Sequence, residues 1–319
     1  LKRIMKVAII FSLVPILFLA GCAGGNKEDM PKDGELSIYT SLFPVEDFTE
    51  KIGGEHVKVT NIMPLGGDAH TFEPTQKTIV KVAEADAFIY NGVGMEPYAD
   101  KMESALEKEN VKFYEASAGI ESGEHDEKEE NHEGEEGNED DEHAHGDVNP
   151  HIWLDPVLAV TMAENIKNAL QELKPEAEDD FEENFKVLKS DLEKINAEFE
   201  AAAGKTSTKK FMVSHAAYEY WEDRYGLEQL AITGLSPSQE PTQAELEKLI
   251  KQAREYNIDT ILFEQNVTPK VADIIKEEIG ADVLYLHNLA VLTEEDVEND
   301  EDYFSLMRKN IKSMEKALD

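Results

Sequence analysis

The chain has 319 residues, is 41% hydrophobic, and carries 31 Lys+Arg against 68 Asp+Glu, a formal charge of −37 at pH 7. This length and apolar content allow a substantial core and two domains of ordinary size, while so acidic a chain excludes a nucleic-acid partner, which demands clustered Lys and Arg, and suits a cationic ligand. A single cysteine, Cys22, excludes intramolecular disulfides and a Cys-rich zinc module, so any metal is held through nitrogen and oxygen.

In chain order, the first stretch reads as an address. Lys2, Arg3 and Lys6 form a basic region ahead of the apolar run 7–20, and Leu19-Ala20-Gly21-Cys22 closes it in the pattern of a bacterial lipobox. Residues 1–21 are expected to be a lipoprotein signal peptide, Cys22 the lipidated residue, and 22–34 a flexible tether on the outer face of the cell membrane.

From residue 35 strands and helices alternate. Strands are expected over 36–40, 57–62, 87–90 and 112–114, with helices over 45–52, 76–83 and 97–108. This alternation predicts an α/β lobe over 35–174 with a parallel sheet and ligands beyond the carboxyl ends of its strands. His70, in the Gly-rich loop 64–75, stands at such an end. Residues 121–147 hold His125, His132, His143 and His145 in a strongly acidic tract with almost nothing apolar, which predicts a disordered loop able to collect metal weakly. The motif Asn149-Pro150-His151-Ile152-Trp153-Leu154-Asp155-Pro156 is its opposite. Two prolines restrict the backbone and three apolar residues anchor it, so His151 is expected to be held still.

Beyond Pro156 the period becomes helical, with Leu158, Met162, Ile166 and Leu170, then Phe181, Phe185, Leu188, Leu192, Ile195 and Phe199 after Pro175. The second helix, assigned to 175–204, would reach roughly 40 Å at ~1.5 Å per residue. Periodicity alone leaves open a strut between two lobes or a hairpin packed on one. Over 205–319 the alternation resumes, with strands at 211–213, 227–232, 260–263 and 282–286 and helices at 242–256, 269–279 and 302–318. That is a second α/β lobe, with His215 just past its first strand and Glu264 and His287 at the ends of later ones. His70, His151 and His215 are too far apart for a local chelating motif, so the fold must assemble any site they form. Neutral imidazoles suit Zn²⁺, and an imidazole site should lose affinity as pH drops through about 6.5.

The lipobox, GGDAHTFEPT, the His/acid-rich insertion, NPHIWLDP, the long helix, VSHAAYEYW and SPSQEPT, in that order, resemble the substrate-binding lipoproteins of bacterial zinc-uptake ABC transporters across the whole mature chain. The resemblance implies two Rossmann-like α/β lobes with parallel sheets, joined by one long rigid helix, with a metal in the interlobe cleft. It further implies that His70, His151 and His215 are ligands, and that captured Zn²⁺ passes to an ABC permease powered by an ATPase. A monomer with no catalytic activity is expected. Relatives place Asp or Glu after the last strand, whereas Tyr285-Leu286-His287-Asn288-Leu289-Ala290-Val291-Leu292-Thr293 has none. Water then ranks first as fourth ligand and His287 next, with Glu264 a helix cap or a group that orients an imidazole. Asp155, Glu73 and Glu240 are candidates for the same orienting role, or for caps and turns. Three imidazoles favour zinc over manganese. The alternatives are transport of manganese or another divalent metal, adhesion, and zinc hydrolysis, for which no His-Glu-x-x-His is present.

Overall fold

Runs of four to six apolar and β-branched residues, each closed by a turn, make eight strands in a computed structural model that describes residues 31–32, 34–120, 148–265 and 270–319. The expected signal peptide, Cys22, most of the tether, and the 121–147 tract with His125, His132, His143 and His145 lie outside the described residues. In the first sheet β1 (Leu36–Thr40), β2 (Val57–Asn61), β3 (Ala87–Tyr90) and β4 (Lys112–Glu115) are all parallel in the order β2-β1-β3-β4. The second sheet repeats that plan, with β5 (Lys210–His215), β6 (Glu228–Thr233), β7 (Thr260–Glu264) and β8 (Asp282–Leu286) in the order β6-β5-β7-β8. Each sheet therefore reverses its strand order beside its first strand, where a crevice opens at the carboxyl ends. His215 and Glu264 are the terminal residues of β5 and β7. The sequence places His215 just past its strand, but the ladder runs further and pairs it with Thr233.

The first lobe carries α1 (Phe43–Gly53), α2 (Gln76–Ala83), α3 (Ala99–Ala105) and α4 (Pro156–Leu173). The 26-residue α5 (Glu178–Ala203) follows, about 39 Å long at ~1.5 Å per residue. Its buried stripe is the expected one, Phe181, Phe185, Leu188, Leu192, Ile195 and Phe199. The second lobe adds α6 (Glu219–Tyr225), α7 (Gln243–Glu255), α8 (Lys270–Ile279), α9 (Glu294–Glu298) and α10 (Tyr303–Leu318). Because α5 packs on α1 and α4 at one side and on α6 and α10 at the other, it joins two lobes, and the one-lobe hairpin is not adopted. The short α9 has no sequence periodicity to betray it. It exists through a capping box in which Thr293 and the buried Asp296 exchange hydrogen bonds.

One apolar cluster runs unbroken from Ile38 and Phe48 through Trp153, Leu192 and Phe199 to Trp221, Tyr303 and Met314, so the lobes share a core. Smaller clusters fill the outer part of each lobe, around Phe88 and Met102 in the first and Ile261 and Ile275 in the second. Among the described residues, no helix is long and apolar enough to cross a membrane.

Candidate metal centre

Three irregular or strand-end positions bring the histidines together. His70 lies in the loop after β2, where Asp68 makes the turn: its Oδ1 accepts from His70 N at 3.0 Å and its Oδ2 from Thr71 Oγ1 at 3.0 Å. Gly66 N donates to Leu292 O at 2.8 Å, which ties the same loop to the second lobe.

His151 sits on a segment that belongs to no sheet, so its carbonyls need donors from elsewhere. They come from both lobes. Asn91 Nδ2 donates to Pro150 O at 3.1 Å, Tyr220 OH to Asn149 O at 2.7 Å, Tyr303 OH to Trp153 O at 2.7 Å, and Trp221 Nε1 to Leu154 O at 2.8 Å. Trp153 Nε1 in turn donates to Asn288 O at 2.7 Å. Asn91 is itself set by the buried Glu96, whose carboxylate accepts from Ser41 Oγ, Asn91 N and Gly92 N. Gly92 has φ of +90° and no room for a Cβ against Glu115 and Ser117, so only glycine permits this hook. Burial pushes the Glu96 carboxyl up to about 7 while its three donors pull it down.

His215, at the end of β5, is fully buried, and its Nδ1 is paired with Glu264 Oε1 at the end of the neighbouring β7. Asn288 Nδ2 holds the other carboxylate oxygen at 2.6 Å. His151 Nδ1 faces Asn149 Oδ1 at 2.7 Å. With Asn149 Oδ1 against Nδ1 of His151 and the Glu264 carboxylate beside Nδ1 of His215, the Nε2 atoms of both rings turn inward. His70 Nε2 lies 3.1 Å and His215 Nε2 3.3 Å from His151 Nε2, and all three ligand atoms fall within 4.8 Å of one another. Tetrahedral Zn²⁺ with bonds of ~2.0–2.1 Å separates its ligand nitrogens by about 3.3 Å.

Burial keeps two of the three rings unprotonated. Burial, then the charge of His215, holds His70 down at about 4, and burial with both neighbouring imidazoles holds His151 well below its ordinary value. For these two the proton competition expected near pH 6.5 is displaced toward acid, so they stand neutral and metal-ready at neutral pH.

The remaining sequence candidates lie elsewhere. His287 is buried but does not join the group: its Nε2 meets Asp296 Oδ2 at 3.1 Å and its Nδ1 accepts from Leu289 N at 2.9 Å. Both ring nitrogens are thus spent on fixing Leu289 at φ +60° and on α9. Glu73 and Glu240 are exposed, and among the described residues no imidazole hydrogen bond reaches them. Asp155 caps α4, accepting from Val157 N at 2.7 Å, and pairs with Arg224, so its role is that of a cap. Glu264 is the acid that meets an imidazole, as its strand-end position allowed. The supports that the sequence did not disclose are Asn91, Glu96 and the side chain of Asn149.

Residues 38–317 match the family described as zinc-uptake complex component A, periplasmic. The chain is 34% identical over 304 residues to the high-affinity zinc uptake system protein ZnuA of Bacillus subtilis (strain 168), covering 95% of this chain and 94% of that one. It is 32% identical over 322 residues to the zinc-binding lipoprotein AdcA of Streptococcus pneumoniae (strain ATCC BAA-255 / R6), covering 98% of this chain but 61% of that relative, and so spans about three-fifths of its length. Among solved structures, the Zn(II)-bound ZnuA-like domain of Streptococcus pneumoniae AdcA superposes with a TM-score of 0.74 at 31% identity, covering 90% of this chain and 100% of that one. Fold, site geometry and these likenesses agree, and the chain belongs to the family of zinc-uptake complex component A, periplasmic.

Proposed function

We propose that this protein captures Zn²⁺ outside the cytoplasmic membrane through Nε2 of His70, His151 and His215 and delivers it to an ABC permease with its ATPase. The observation that carries this reading is the convergence of three Nε2 atoms, two of them on buried rings, at spacings that fit one tetrahedral ion. An all-imidazole set favours zinc over manganese, which takes carboxylate oxygen by preference. Water completes the coordination, since His287 is committed to Asp296 and Glu264 to His215. Glu264 orients His215 and raises its basicity, as carboxylates behind metal-binding imidazoles do. Lipidation at Cys22 would keep the monomer at the membrane surface, and the 121–147 tract with its four histidines would serve as a weak auxiliary collector.

The test is a competition titration of metal-free protein against a chromophoric zinc chelator. One tight zinc per chain is expected. His151→Ala should weaken it by about 100-fold or more, a loss of about 2.7 kcal/mol, and deletion of 124–145 should weaken it far less. Equal losses from the two changes, or tighter binding of Mn²⁺ than Zn²⁺, would overturn the assignment.

A further inference from the structure

The amide of Asn149 makes hydrogen bonds on both of its faces beside the site. Its Oδ1 accepts from His151 Nδ1 at 2.7 Å and from His151 N at 3.1 Å. Its Nδ2 donates to Glu219 Oε2 at 3.0 Å and to Ala216 O at 3.3 Å. Ala216 directly follows His215, and Glu219 opens α6, so one face of the side chain meets His151 and the other meets the backbone of the residue next to His215.

An amide has one acceptor face and one donor face. The donor face here meets a backbone carbonyl and a carboxylate oxygen, both acceptors, so a flipped amide would set oxygen against oxygen. Oδ1 is thereby fixed toward His151. Since Oδ1 carries no proton, His151 Nδ1 must supply it, and a neutral ring protonated at Nδ1 presents its lone pair at Nε2. That lone pair is the one aimed at His70 and His215.

We propose that Asn149 is a positioning residue that locks His151 in its Nδ1–H tautomer and sets its Nε2 against that of His215 across the boundary between the lobes. The inference rests on the reading of His151 as a zinc ligand, but its first consequence is visible without metal. The anchor differs in kind from that of His215: a neutral amide fixes the tautomer of His151 without the added basicity that Glu264 brings.

The experiment is ¹⁵N–¹H correlation of the imidazoles in metal-free, ¹⁵N-histidine-labelled protein, with His151 assigned through His151→Ala. In the parent chain His151 should show the Nδ1–H signature alone; an Nε2–H or mixed signature there overturns the proposal without any variant having to fold. In Asn149→Ala, with its helical circular dichroism intact, the His151 signal should become a mixture of tautomers and zinc affinity should fall about 10- to 100-fold. A parental tautomer in Asn149→Ala, or a mixed one with affinity within twofold of the parent, overturns the positioning role. Unchanged zinc affinity in His151→Ala would instead sink the ligand reading, and the tautomer measurement keeps the two failures apart.

Discussion

Removing Asp155 tests whether the His151 segment is held by discrete polar contacts. The carboxylate does two jobs with two oxygens: Oδ1 caps α4 by accepting from Val157 N at 2.7 Å and Leu158 N at 3.4 Å, and Oδ2 takes Arg224 Nε at 2.9 Å and Nη2 at 2.7 Å. Loss of the cap costs about 1 kcal/mol. The ion pair joins a side chain 4% exposed to one 34% exposed, so the guanidinium regains water when its partner leaves. Its share is therefore about 1–2 kcal/mol, below that of a fully buried pair. Asp155→Ala should thus cost about 2–3 kcal/mol, and Asp155→Asn, which keeps a capping oxygen, about 1 kcal/mol less. Arg224→Ala is the sharper case, because it strands a buried carboxylate. With the two backbone donors still in place, a cost of about 2–3 kcal/mol is expected. Urea unfolding of metal-free protein measures all three, zinc being withheld because a ligand of the native state adds its own stabilisation. Equal losses in Asp155→Asn and Asp155→Ala would refute the capping share. A loss under about 0.5 kcal/mol in Arg224→Ala would refute the ion pair.

Three further outcomes follow from the geometry. Glu264→Gln should weaken zinc about tenfold with little change in unfolding midpoint, since the amide still fills the space behind His215 but cannot stabilise a metal-bound imidazole as a carboxylate does; competition titration reads it, and parental affinity would contradict the orienting role. His287→Ala should lower thermal stability yet leave zinc affinity within about twofold, because its ring serves Asp296 and Leu289 N; a large affinity loss with unchanged stability would restore His287 as a ligand. Burial beside Glu50 and Asp47 pushes Glu46 up to about 7. A raised carboxyl contributes stability that is complete below about 4.5 and is lost as pH rises through its folded value. Glu46→Gln should accordingly flatten the decline in urea midpoint between pH 5 and 8, and an unchanged slope would count against it.

The architecture was largely legible in the sequence because it rests on periodicity. Strand and helix alternation places β1, β3, β8 and α2 at their observed bounds, and the stripe from Phe181 to Phe199 forecasts α5 closely. What periodicity could not decide was what α5 packs against, since an apolar stripe has no address. Similarly, the three histidines were visible as strand-end or proline-braced positions. Their supports were not, because a hydrogen-bond partner far away in sequence leaves no local trace. Glu264 is adjacent to His215 only through the pairing of β5 with β7, and Asn91 reaches Pro150 only once Glu96 has shaped its loop. His287 shows how a neighbouring element decides what a strand-end histidine meets. At the end of β8 it had the position of a ligand, but a small unheralded helix supplied the carboxylate that claims its ring.

The motif around His151 shows how a short irregular segment comes to be held as firmly as a strand. Ile152, Trp153 and Leu154 bury completely, which fixes how deep the segment sits, but apolar contacts are non-directional and would leave its rotation free. Direction comes from the carbonyls of Asn149, Pro150, Trp153 and Leu154, each capped by a donor remote from the motif in sequence. Three of these donors, Tyr220, Trp221 and Tyr303, belong to the second lobe and one, Asn91, to the first. His151 is therefore positioned by both lobes at once, whereas His70 depends on its Asp68 turn and on the single tie from Gly66 to Leu292, and His215 on the ladder of its own sheet. A site built this way draws its precision from the shared core beneath it, and loosening any one clamp should be felt first at His151 Nε2, the atom that His70 and His215 face.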